Sequence, residues 1–221
     1  MGRQFGLEHL DTKLIEVLNI RNGYYVEIGA NDGVTQSNTL ALELFFGWKG
    51  LLIEPIQVTF DQLRSNRSRR RNAIVKSACV GFDFGADTVR LASANLMSTA
   101  IGLESDIVDP IAHAKDGLLF LPSSIDGSVP HLEYEDVPAR TMDSILKSAK
   151  APKRMELLSL DVEGAEMEVL KGIDFETYRF NWMLIECRNL PKMTKFLAAK
   201  SYCFHSQLSP NDYLFKDLAE I

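Results

Sequence analysis

Apolar positions along the chain follow two rhythms, and each predicts its own elements. From residue 7 to 21, Leu7, Leu10, Leu14, Ile15, Val17 and Leu18 recur at helical spacing, so an amphipathic helix opens the chain and Asn22-Gly23 stops it. Tyr24-Tyr25-Val26-Glu27-Ile28 then reads as a buried strand running into a glycine-containing turn. A second helix is expected over residues 37–46, ended by Gly47. Residues 50–55 are apolar up to Glu54-Pro55, as a strand covered on both faces must be. A helix through Val58, Phe60 and Leu63 leads to a third strand over 72–80. Later come a short strand at 88–91, a helix starting at 141–146, a fourth main strand over 156–161 and a short helix over 164–172. A fifth strand over 181–187, a helix near 192–200 and a closing strand near 212–216 finish the chain. Strands alternating with helices predict an α/β layer fold around a mostly parallel sheet.

One stretch breaks the rhythm. Residues 93–138 carry Pro110, Pro122, Pro130 and Pro138 with several Gly and Ser. A long irregular segment in a compact domain is usually functional or mobile. It reads as an insertion over the sheet's end, a candidate substrate cap. Residues 1–221 hold no repeat and no linker, so one domain is expected.

Four apolar runs close on a carboxylate: Glu27, Glu54, Asp161 and Glu186. Ligands of open α/β sheets bind at the carboxyl ends of the strands, so this repetition marks a site. The sharpest piece is Glu27-x-Gly29-x-Asn31-x-Gly33, between a strand and a helix. Glycine lets the backbone turn tightly and lets a ligand approach. A dinucleotide fingerprint needs G-x-G-x-x-G to seat a pyrophosphate on the helix N-terminus. Asn31 takes the second glycine position and no third glycine follows, which weakens that fit. A zwitterionic amino-acid tail suits the acidic loop better, with Glu27 or Asp32 receiving its ammonium. Glu54 follows the turn by about 20 residues, where a carboxylate accepts ribose hydroxyls and repels a 2′-phosphate. Pro55 ends that strand. A nucleoside with an amino-acid tail is S-adenosylmethionine. Ala30, Ser37, Asn38, Cys79 and Asp161 complete the expected cofactor-binding set.

In the order and combination of these pieces the chain resembles the FkbM family of methyltransferases. The resemblance rests on residues 26–33, Ser37-Asn38-Thr39, Gly47-Trp48-Lys49-Gly50, Ile53-Glu54-Pro55, Ala139-Arg140-Thr141-Met142-Asp143-Ser144 and Leu160-Asp161-Val162-Glu163-Gly164-Ala165-Glu166. It implies a Rossmann-like class I methyltransferase sheet of seven strands with a reversed last pair. It also implies O-methylation of a hydroxyl on a sugar, glycan or natural product. Residues 93–138 match no pattern of the family, so the acceptor stays open.

Methyl transfer to an alcohol asks the protein for positioning and for removal of a proton. Asp161 and Glu163 follow the fourth strand and point the same way if Val162 is extended, so they are the candidate catalytic pair. The rival role for Glu163 is to cap the helix at 164–171. A divalent ion would suit such oxygens, but two carboxylates are too few to define a site, and no metal is expected. His113 in the cap belongs to the residue type that changes charge near neutral pH and is a weaker candidate base, as is Glu186 beside Arg188 and Asn189. Arg140 is expected to tie the cap to the core through an ion pair.

Composition narrows the partners. A net charge of −6 makes the whole molecule a poor polyanion binder, so no nucleic-acid partner is expected. Arg64, Arg67, Arg69, Arg70 and Arg71 are a local exception, read either as a solvated helix end or as a site for phosphate or an acidic substrate. Cys79, Cys187 and Cys203 form no C-x-x-C pair, and the four histidines show no metal-binding spacing. No apolar run nears the ~20 residues of a membrane helix. The N-terminus lacks a signal-peptide core, so a cytoplasmic setting is expected. Two rivals remain: an NAD-type oxidoreductase, and a module that binds S-adenosylmethionine without chemistry.

Overall fold

The computed structural model describes residues 4–120 and 131–219. Pro122 and Pro130 of the expected cap, and Met1 to Arg3, lie outside the described residues. The chain runs α1 (Leu10–Leu18), β1 (Tyr24–Ile28), α2 (Leu40–Phe46), β2 (Lys49–Ile53), α3 (Gln57–Asn66), β3 (Asn72–Val75), β4 (Ala78–Val80) and β5 (Thr88–Ser93). It continues through β6 (Thr99–Ile101), α4 (Pro110–Leu118), β7 (Glu133–Thr141), α5 (Met142–Ser148), β8 (Arg154–Leu160) and α6 (Glu166–Lys171). The last elements are β9 (Arg179–Glu186), α7 (Leu190–Ala198), β10 (Tyr202–Gln207) and β11 (Asp212–Asp217).

Seven strands form one sheet in the order β10-β11-β9-β8-β1-β2-β3. The five from β9 to β3 are parallel, while β11 pairs antiparallel with both β9 and β10. This is the expected seven-stranded, mostly parallel sheet with a reversed final pair. Each face carries its own core. Val26, Ile28, Leu51, Ile53, Leu158, Leu160 and Met183 pack on one side with α5, α6 and α7. Tyr25, Leu52, Leu157 and Leu184 pack on the other with Leu14, Leu42, Trp48 and Leu63. The alternation within each strand explains why the runs are apolar throughout: both faces are covered.

Several expected boundaries shift, for local reasons. The opening segment is a short 3-10 turn over Leu7–His9, then a helix that ends at Leu18 with Asn19 in the left-handed region. The helix expected from Ser37 begins at Leu40, because Ser37 Oγ accepts the amides of Thr39 and Leu40 and so stands ahead of the first turn. The expected third strand is two strands. β3 stays beside β2 up to Val75, then the chain leaves the sheet at Lys76-Ser77 and β4 pairs with β7 instead. Ser77 Oγ donates to the Pro138 carbonyl and fixes that departure. β4, β7, β5 and β6 make a second, four-stranded sheet. Residues 93–138 therefore carry more order than their composition suggests: β6, α4 and part of β7 fall inside them. Among the described residues Arg140 makes no ion pair with a carboxylate; it donates to Ser144 Oγ, the Ser144 carbonyl and Ser148 Oγ, fastening β7 to α5.

Candidate active site

Chain order reverses beside β1, with β2 on one side and β8 on the other, and this opens a crevice at the carboxyl ends of the strands. The turn after β1 is shaped by its backbone. Gly29 has φ of 80°, and a Cβ there would stand 1.8 Å from the Asp161 carbonyl oxygen, so only glycine lets β8 come this close. Asn31 is also left-handed, at φ 47°, a conformation that asparagine tolerates better than most residues, so this loop needs no second glycine. Asp32 builds the next bend by accepting the amides of Val34 and Thr35 and the Thr35 hydroxyl.

Two compartments share this crevice. The larger, ≈ 750 Å³ of empty space, is walled by Gly29, Asn31, Glu54, Pro55, Ile56, Cys79 and Asp161, with Leu91, Leu96, Ala100 and Leu103 as an apolar lining. The smaller, ≈ 360 Å³, is lined by Glu27, Ala30, Thr35, Gln36, Ser37, Asn38 and Ser159. Gly29, Asn31, Leu96 and Asp161 belong to both. Of the residues expected to meet a cofactor, ten thus line one compartment or both. Asp32 and Gly33 line neither and act through the shape of the loop.

Glu54 is buried at the tip of β2 and accepts from the Asn31 amide at 2.9 Å, the Ile56 amide at 3.0 Å and Thr59 Oγ1 at 2.8 Å. Burial pushes its carboxyl above the ordinary range, and these three donors oppose the shift. Cys79 is buried against Met142, and burial raises its thiol to about 12, so it is an inert wall. Glu27 is saturated from within the protein. It accepts from Ser37 Oγ, the Asn38 amide, Thr39 Oγ1 and Arg67. Arg67 is 3% exposed. It also bonds Glu43, Tyr25 Oη and the Gly33 carbonyl, so one guanidinium pins the turn after β1 to α2 and α3. Of the five clustered arginines this one faces inward, and neither sequence reading foresaw it.

The carboxylates of Asp161, Glu163 and Glu186 each place an oxygen within 4.8 Å of the other two. Asp161 is exposed at the crevice yet has much protein mass around it. That enclosure, then Glu186 and Glu163, hold its carboxyl well above the ordinary range. Glu186 is raised to about 7, first by burial and then by Glu163, and it is hydrogen-bonded to Asp161. Glu163 Oε2 meets His113 Nε2 at 2.8 Å and Arg188 Nη2 at 3.1 Å. Glu163 does not cap α6, which starts at Glu166 without a side-chain cap: Glu163 is left-handed at φ 53°, and Glu166 Oε1 accepts the loop amides of Val162 and Gly164. Sequence reasoning paired Asp161 with Glu163; the structure adds Glu186, which the shared ending of the apolar runs had signalled.

A family model described as the methyltransferase FkbM domain matches residues 27–202. The chain belongs to the FkbM methyltransferase family. Among solved structures, methyltransferase FkbM from Methylobacillus flagellatus KT is similar at 14% identity and a TM-score of 0.50, over 88% of this chain and 43% of that one. The FkbM chain described here thus spans less than half the length of that relative. Two more distant likenesses are the METTL16 methyltransferase domain (11% identity, TM-score 0.46, 99% of this chain, 71% of that one) and precorrin-6y C5,15-methyltransferase from Geobacter metallireducens GS-15 (12%, 0.43, 93% and 86%). No curated protein matches the chain significantly. The FkbM match runs from the end of β1 to the start of β10, so it includes Glu27, Glu54, Asp161, Glu163 and Glu186.

Proposed function

We propose that this FkbM methyltransferase uses S-adenosylmethionine to methylate a hydroxyl of a sugar, glycan or natural product. The observation that carries this reading is the two-compartment crevice closed at its centre by Asp161. The larger compartment, with an apolar lining and Glu54 at one wall, suits a nucleoside; the smaller, polar one suits an amino-acid tail. A buried acceptor without a donor supports the fit: Asn38 Oδ1 has no hydrogen-bond partner among the described residues, and Asn38 lines the smaller compartment. The ammonium of the tail is a donor of the kind that this wall lacks. Glu27, expected from sequence to receive it, spends its oxygens on the loop.

S-adenosylmethionine, when bound, supplies a methyl group on a cationic sulfur. Glu54 would accept hydrogen bonds from ribose hydroxyls, and Gly29 and Asn31 give the backbone room for the ligand. Asp161 stands at the junction of the compartments and Glu163 beside it on the larger one, as the proton-accepting pair. Asp161 lies beside Glu186, whose carboxyl is raised to about 7, so this acidic cluster can exchange a proton close to neutral pH, where a general base works best. The acceptor hydroxyl would pass its proton to Asp161 as its oxygen takes the methyl. His113 and Arg188 hold Glu163 in place from α4 and from the end of β9. A mouth this rich in carboxylates favours a neutral, hydroxyl-bearing acceptor over an anionic one. From the irregular stretch, Leu96, Ala100 and Leu103 already wall the larger compartment.

The test is transfer of a labelled methyl from S-adenosylmethionine to a panel of neutral glycosides and their carboxylated or phosphorylated counterparts. Labelling confined to neutral hydroxyl acceptors, and lowered in Asp161→Asn far more than S-adenosylhomocysteine affinity is, is the expected result. Labelling of an amine or a carbon, or full turnover in Asp161→Asn, would overturn it.

A further inference from the structure

The opposite end of the sheet carries a feature that methyl transfer leaves unused. The parallel strands start there, and their first residues stand side by side. The Lys49 amide donates to the Gly23 carbonyl, and the Gly50 amide to that of Arg71. The starts of β1, β2 and β3 thus bring Arg21, Lys49 and the turn with Arg69, Arg70 and Arg71 to one edge. All five are exposed, and none has a carboxylate within ion-pair distance among the described residues. The carboxylate at the neighbouring start of β8, Glu156, accepts the Tyr24 amide. In a protein of net charge −6 this edge is of opposite sign to the acidic mouth at the strands' carboxyl ends.

Apolar side chains project beside Arg21. Leu44 is 56% exposed and Phe45 46%, at the end of α2. Arg21 Nη1 donates to the Phe45 carbonyl and its guanidinium lies over the Phe46 ring, so charge and apolar surface adjoin directly. Ile20, exposed beside them, gives its carbonyl to Trp48 Nε1. Unpaired arginines alone would suit any polyanion. Mixed with protruding aliphatic and aromatic side chains, they match the boundary of an anionic bilayer, where the apolar groups enter the headgroup layer and the cations meet lipid phosphates.

We infer that the basic edge formed by Arg21, Lys49 and Arg69–Arg71, with Ile20, Leu44 and Phe45 beside Arg21, docks this protein on the surface of anionic membranes. The docking is peripheral: no helix among the described residues is long and apolar enough to cross a bilayer. It leaves the crevice at the far end of the strands free for its ligands. This inference is independent of the acceptor and of the cofactor.

Co-sedimentation of the full chain with vesicles of phosphatidylcholine alone, and of phosphatidylcholine with phosphatidylglycerol, tests it. Binding is expected to the mixed vesicles only and to weaken with added salt. Each basic side chain near an anionic surface strengthens partitioning about fivefold, so Arg69→Gln, Arg70→Gln and Arg71→Gln together should weaken it about a hundredfold. Leu44→Ser with Phe45→Ser should weaken it at unchanged charge. Thermal melting and S-adenosylhomocysteine affinity of these exposed-site variants should match the parent, which separates loss of docking from loss of fold. Failure to sediment with the mixed vesicles would overturn the inference. Equal binding to neutral vesicles would do the same, as would binding indifferent to the arginines. Arginine-dependent capture of a single-stranded RNA oligonucleotide without vesicle binding would reassign the edge to nucleic acid.

Discussion

Buried carboxyls at the crevice set both its chemistry and its response to pH. Glu186 is raised to about 7, and Glu166, which is 1% exposed and holds the loop after Asp161, to about 8, in both cases chiefly by burial. A carboxyl whose folded pKa exceeds its unfolded one binds more protons in the folded state between the two values. Its stabilising effect is full below the unfolded pKa near 4.5 and is lost as pH rises through the folded one. Melting temperature should therefore fall as pH rises from about 5 to about 8, against the habit of acid-labile proteins. Glu166→Gln should flatten this fall, since glutamine keeps an acceptor for the Val162 and Gly164 amides without a titrating proton; calorimetric melts across that range check it, and an unchanged slope would place the titration elsewhere. At the Glu54 position, Glu54→Gln should weaken S-adenosylhomocysteine about tenfold or more while the far-ultraviolet spectrum stays unchanged, because a hydrogen bond to a charged acceptor is worth ~1.5–3 kcal/mol. Affinity equal to the parent's would remove Glu54 from the ribose.

At the scale of elements, the turn after β1 depends on contacts that lie far away in the chain. Gly29 meets the Asp161 carbonyl, and Arg67 reaches back from the end of α3 to Glu27, Glu43 and the Gly33 carbonyl. Arg67→Ala leaves two carboxylates buried and uncompensated, and should cost ~3–5 kcal/mol in chemical denaturation. Exposed Arg69→Ala, two residues on, should cost less than about 0.5 kcal/mol. This contrast also shows where local sequence stops being informative. Five arginines crowd one stretch, and nothing in their spacing tells which one turns inward; that follows from Glu27 and Glu43 on other elements. The apolar runs of β1, β2, β8 and β9 were legible because a strand covered on both faces must be apolar throughout, and their carboxylate tips were legible with them. The departure of β4 at Lys76-Ser77 was not, because two polar residues within a strand-like stretch do not by themselves mark a change of sheet, and the partner that draws β4 away, β7, lies about sixty residues later. Asn31 shows a third case: read as a missing glycine, it is a left-handed residue that fills the same geometric role.

The molecule as a whole has two ends of opposite character: acidic groups at the carboxyl ends of the strands, where the FkbM crevice lies, and a basic, partly apolar edge at their starts. A cationic ligand should meet the acidic end more favourably as its carboxyls ionise, so S-adenosylmethionine should gain affinity over uncharged-sulfur S-adenosylhomocysteine as pH rises through about 7. The most direct test of the account is isothermal calorimetry of the purified chain with S-adenosylhomocysteine, with NAD as the competing nucleotide. Saturable binding of one S-adenosylhomocysteine per chain, weakened in Glu54→Gln, with no heat from NAD, is the predicted result. Binding of NAD without S-adenosylhomocysteine, or of neither, would contradict it.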